Sequence, residues 1–182
     1  MRALPIATAA VMLAIAPITP MLASAQQTSE AAPAAADVDE FASAAAQNSL
    51  TEVLMSVIAL QKTNDKRVED HAWTMLDHHS RAMGDLAAAL SPDAALLPTE
   101  PTDAQTATLE EVRNLEGTEF DEAYFAHQLE AHARAIGVFE QGEQVSDDQV
   151  AQYARTTLPV LRTHLEITRL RQEQPPQPLQ EE

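Results

Sequence analysis

Residues 118–139 read TEFDEAYFAHQLEAHARAIGVF, and the spacing of their apolar members decides the fold class. At about 100° per residue, Phe125, Leu129, Ile136 and Phe139 share one face of a helix, with His132 at its centre. Gly117 precedes the stretch, Thr118 offers a capping oxygen to an orphan backbone N–H, and Asp121 sits in the positive first turn. The spacing predicts a helix from Thr118 to Val145 with a titratable imidazole in the middle of its apolar stripe.

Downstream, Ser146-Asp147-Asp148-Gln149 is a capping box that starts a further helix, ending at Arg171. Its stripe is Tyr153, Thr157, Val160, Leu161 and Ile167, again with a histidine, His164, at the centre. Upstream, Asp37 with Glu40 caps a helix that runs to Thr63, and Leu50, Val53, Val57 and Leu60 are its bulky core candidates. Glu52 lies beside them, on the line of Phe41, Ala45, Asn48, Met55 and Ala59. Asn64 caps a second helix to Leu90, where Val68, Ala72, Met75, Met83 and Leu86 flank a central His79. His71 and His78 fall to one side of that stripe and Trp73 to the other. His127 falls off the core face of its own helix, so these three additional histidines read as surface or supporting residues.

The segment 91–103 contains Pro92, Pro98 and Pro101 and cannot be helical throughout; a short helix from Thr102 to Leu115 follows, closed by Gly117. There is no strand-like alternation, no internal repeat and no second domain. Four long helices, paired by tight turns at 63–65 and 145–147 and joined by a link of about 27 residues, predict an all-α, ferritin-like four-helix bundle. The link is a crossover carrying the short extra helix. With a rise of about 1.5 Å per residue, Glu52, His79, His132 and His164 all fall roughly 16–21 Å from the hairpin ends, in one layer near mid-bundle. An up-down bundle would level them similarly, so the shared layer does not by itself decide the topology.

Arg2, an apolar run from Ala3 to Ile18 and the end Leu22-Ala23-Ser24-Ala25 have the form of a secretory signal peptide cleaved after Ala25. Residues 26–36 read as a flexible lead-in, residues 37–172 as the bundle and residues 173–182 as a mobile Pro-rich tail. The chain has no cysteine, hence no disulfide, no lipid attachment at the cleavage site and no covalent haem motif. A net charge of −17 without a basic cluster argues against nucleic acid and anionic lipid as partners. Beyond the leader no run is apolar enough for membrane insertion, and nothing names a protein partner.

Four segments, ASAAAQNSLTEVLMSVIAL, HAWTMLDHHSRAMGDL, LEGTEFDEAYFAHQLEAHARAIGVFE and TLPVLRTHLEITRL, resemble the exported bacterial domain of unknown function 4142. The resemblance rests on Glu52, Ala59, Ala72, Met75, His79, Gly117, Phe120, Asp121, Tyr124, His132, Phe139, Leu158, Pro159 and His164, and covers nearly all of residues 38–171. It implies a ferritin-like bundle in the cell envelope, hence the periplasm, and no established activity. Position 78, usually acidic in that family, is His78 here, which weakens any acidic supporting role at that point.

Three imidazoles centred on three stripes, with Glu52 on the fourth helix, admit two readings. Zn²⁺, Cu²⁺, Fe²⁺ or Ni²⁺ suits such a ligand set, and one ion would satisfy a nitrogen of each ring. Alternatively the four residues hydrogen-bond to one another, to Gln128, Asn48 or Tyr124, or to buried water, and form a purely structural polar core. That second protein would be a metal-free envelope stress or interaction protein. The spacing argues against a di-iron centre. It needs Glu-x-x-His on two helices, whereas the positions three before His79, His132 and His164 are Leu76, Leu129 and Leu161. No nucleophile with base and orienter, phosphate-cradling loop or carboxylate pair is present, so the sequence does not read as an enzyme.

Overall fold

Polar punctuation between helical periods yields five helices among the described residues, 38–91 and 97–179 of the computed structural model. They are α1 (Val38–Lys62), α2 (Lys66–Ala89), α3 (Asp103–Arg113), α4 (Gly117–Gly142) and α5 (Asp148–Gln172). The expected signal peptide (1–25), lead-in (26–36) and Asp37 cap lie outside the described residues. No described helix is long and apolar enough to cross a membrane.

The helix starts differ from expectation by one residue at three places. Asp65, not Asn64, caps α2, accepting from the Arg67 N–H at 2.9 Å. Asp147, not Ser146, caps α5 through the N–H groups of Gln149 and Val150. Gly117 adopts φ +57, a left-handed turn that only glycine takes cheaply, and α4 begins there rather than at Thr118. Asp121 then serves a tertiary contact, accepting from Thr63 Oγ1 at 2.7 Å. At Thr102 the reciprocal capping box with Gln105 forms.

Helix directions follow from who meets whom. Thr63, just past the end of α1, meets Asp121 at the start of α4, while Phe41 at the start of α1 meets Phe139 near the end of α4, ring centroids 5.2 Å apart. Arg67 at the start of α2 donates to the carbonyls of Arg171 and Gln174 at the end of α5. Both pairs are therefore antiparallel, so α2 and α4 run in the same direction. The link between them must climb back along the bundle, and α3 on the way packs across α1 and α4. This is the crossover connection of a ferritin-like, all-α bundle.

The core falls into two apolar clusters with a polar layer between them. One holds Phe41, Leu86, Phe139, Val150, Tyr153 and Leu161. The other holds Met55, Ile58, Val68, Phe120, Tyr124 and Phe125, with Leu109 and Val112 of α3. The face of α1 that turns inward is the small-residue one: Ala45, Ser49, Glu52, Met55 and Ala59 are buried, whereas Val57 is 38 % exposed and Leu50, Val53 and Leu60 are only half-buried. Small side chains let α1 approach its neighbours closely, and the aromatic rings of α4 and α5 fill the space instead. The same closeness leaves no room at Gly142, where an added Cβ would come within 2.7 Å of the Phe41 ring.

The described part of the tail expected to be mobile, up to residue 179, is instead anchored over the α1–α2 turn. Lys66 N–H donates to the Gln177 carbonyl at 2.7 Å, Leu179 N–H donates to the Asn64 carbonyl at 2.9 Å, and Asp65 bridges to Pro178. Beneath it lies a buried ion pair, Arg67 Nη2 to Asp65 Oδ2 at 2.6 Å. Burial raises the Asp65 carboxyl, but the hydrogen bonds from Arg67 and the Gln177 N–H outweigh it and hold the group below the usual carboxylate range.

Candidate metal centre

Each of the three central histidines is placed by a helix whose neighbouring turns are anchored in the apolar clusters, so the rings have nowhere to go but the layer between. His79 from α2, His132 from α4 and His164 from α5 are all buried, and one nitrogen from each ring lies within 4.8 Å of the other two. Nε2 of His132 is 3.4 Å from Nε2 of His79 and 3.2 Å from Nδ1 of His164. Two imidazole ligands on a tetrahedral zinc-like ion, at about 2.0–2.1 Å each, sit about 3.3–3.4 Å apart. The three residues thus lie close enough to hold one metal ion.

The outer nitrogens prepare the inner ones. Nδ1 of His132 faces the backbone carbonyl of Gln128 at 2.9 Å, an acceptor only, so the proton resides on Nδ1 and Nε2 offers its lone pair inward. Nε2 of His164 lies 2.7 Å from Nδ1 of His78, whose exposed ring meets it edge to edge and nearly coplanar. Nδ1 of His79 is buried without a partner. Burial is the main cause that pushes His79 well below the usual histidine range and His164 down to about 3, with the neighbouring imidazoles adding to it. Neutral rings are the form a metal requires. A cavity of about 20 Å³, room for one water, borders His78, His79 and His164.

Glu52 does not join this group. It is 1 % exposed, its Oε2 accepts from the side-chain amide of Gln128 at 2.6 Å, and its Oε1 has no hydrogen-bond partner. The carboxylate therefore reaches the imidazoles at one remove, through Gln128, whose carbonyl orients His132.

The flanking histidines are not all peripheral. His71 is fully buried and His127 nearly so; only His78 is exposed, and it touches His164. Thr168 Oγ1 donates to the His164 carbonyl at 2.7 Å, so His71 Nε2–H donates to Thr168 Oγ1 at 2.7 Å and Nδ1 accepts from the Tyr124 hydroxyl at 2.8 Å. Burial pushes Tyr124 well above its usual range, keeping it a donor, and pushes His71 down to about 3. A signal for His71 was available: it precedes His79 by eight residues, a little over two full turns, on an adjoining part of the same face. Gln128 likewise lies one turn before His132.

No curated protein and no solved structure matches the chain significantly. Residues 23–169 match the family described as Domain of unknown function (DUF4142), which spans most of the chain and carries all three central histidines. The helical bundle and its buried histidine layer are thus those of a member of the DUF4142 family, to which this chain belongs.

Proposed function

We propose that this protein binds one transition-metal ion of the zinc, copper, iron or nickel class, with His79, His132 and His164 as ligands. The observation that carries the reading is the convergence of three buried ring nitrogens within 4.8 Å of one another, with His132 at tetrahedral spacing from both His79 and His164. Glu52 supports the site through Gln128 rather than as a direct ligand. The protein acts as a binding module rather than an enzyme, exported to the periplasm; the leader-like residues 1–25 support that address.

The test is metal content. The chain, purified without a histidine tag and without added metal, is expected to take up an ion at the three-imidazole centre on brief exposure to a metal-replete buffer, and His132→Ala to retain one equivalent fewer than wild type. Sub-stoichiometric metal that the substitution leaves unchanged would defeat the reading. A second reading, a metal-free envelope protein with a structural polar core, draws on one observation. His78, His164, His132 and the Gln128 carbonyl form a continuous hydrogen-bonded row that needs no ion.

A further inference from the structure

Beneath α3, between α1 and α4, a cavity of about 330 Å³ is lined by Asn48, Glu52, Gln105, His127 and Arg134, among others. Two buried polar atoms on its wall lack hydrogen-bond partners: Oε1 of Glu52 and Nε2 of His127, 3.9 Å apart. An interior carboxylate oxygen left bare is strongly disfavoured. The opposing imidazole does not relieve it by ionising, because burial holds His127 below the usual histidine range. The cationic side chain on the wall, Arg134, is engaged by Glu130 in its own helix.

We infer that this cavity is a cation site in its own right, in which Glu52 Oε1 and His127 Nε2 hold one divalent transition-metal ion and water completes its coordination. A mixed carboxylate and imidazole pair is suited to zinc and its neighbours. Ligand distances of about 2.0–2.2 Å place two tetrahedral ligands roughly 3.4 Å apart. The pair need only close by about half an ångström for that geometry. The remaining volume accommodates several waters. The lining pairs one carboxylate, Glu52, with the neutral amides of Asn48 and Gln105, and its one guanidinium, Arg134, is drawn off by Glu130.

This site is distinct from the three-imidazole cluster. Gln128 stands between them, its amide on Glu52 and its carbonyl on His132. The two sites share the Glu52–Gln128 hydrogen bond, so the position of each ion, and not the total metal content alone, separates the two readings.

The experiment locates zinc directly. Crystals of the untagged full chain grown with millimolar zinc are measured at the zinc edge, and zinc is titrated into wild type, His127→Ala and His164→Ala. The expected result is an anomalous peak between Glu52 and His127 in wild type and in His164→Ala, and the loss of one zinc equivalent in His127→Ala. If His127→Ala does not fold, Glu52→Gln, which keeps an oxygen for the Gln128 amide, is expected to lose the same equivalent. Absence of that peak in wild type, or a titration that neither substitution changes, overturns the inference. A peak at the cavity with none among the three imidazoles supports it while removing zinc as the ion of the three-imidazole centre; a peak among the imidazoles with none at the cavity overturns it and leaves the proposed function standing.

Discussion

Nδ1 of His78 stands 2.7 Å from Nε2 of His164, joining an exposed ring to a buried one. Partners of this kind fix the orientation and basicity of a metal-ligating histidine. Replacing His78 with alanine is expected to weaken ion binding about 10–100-fold, the usual loss for such a partner, without abolishing it. A competition titration with a chromophoric chelator measures the change. An unchanged affinity would mean that His164 needs no outer partner.

Acid should unfold the protein early, and His71 gives the sign. Its folded value, about 3, lies below the ordinary 6.5 because burial disfavours the charged ring. Between those values the unfolded chain binds the extra proton and the folded one does not. The stabilisation is therefore complete above pH 6.5 and is lost as the pH falls toward 3. Each such group contributes a slope of about 1.4 kcal/mol per pH unit within that window. His71→Gln is expected to reduce the dependence of urea stability on pH between 6 and 4.5 by about that slope, and an identical slope in the variant would refute the assignment.

Arg67 neutralises Asp65 beneath the anchored tail and also donates to the carbonyls of Arg171 and Gln174. Arg67→Ala leaves a buried carboxylate alone and is expected to cost about 3–5 kcal/mol. The tail should loosen with it. Hydrogen exchange of the Leu179 amide, which donates to the Asn64 carbonyl, is expected to accelerate more than that of amides in the middle of α4. Uniform acceleration would indicate that Arg67 does not hold the tail in particular.

Met55 and Val57 separate the two faces of α1. Met55 is fully buried and Val57 is 38 % exposed. Met55→Ala is expected to cost about 2–5 kcal/mol and Val57→Ala about 0.5 kcal/mol or less. Chemical denaturation of the two variants decides the matter, and a reversed order would restore the bulky face as the core.

That pair also shows how much could be read in advance. Helix number, order and crossover were legible, because periodicity and capping residues are local properties and link length constrains topology. The central positions of His79, His132 and His164 were legible for the same reason. What misled was size. Leu50, Val53, Val57 and Leu60 look like a core when helices are considered singly, yet burial depends on how closely neighbours approach, and a face of Ala45, Ser49 and Ala59 permits the closer contact. The depth of His127 was hidden likewise, since it is buried by a helix other than its own, beside Glu52, whereas the register of His71 with His79 left a signal that it too turns inward, against Tyr124 and Thr168. The anchoring of residues 173–179 rests on backbone groups of the α1–α2 turn, which no residue pattern in the tail announces.

The three central imidazoles are divided between the hairpins, His79 on the first and His132 and His164 on the second. Neither half alone can supply the full set. An ion seated there would act as a late staple, gripping only after the halves have met and slowing their parting more than it hastens their meeting.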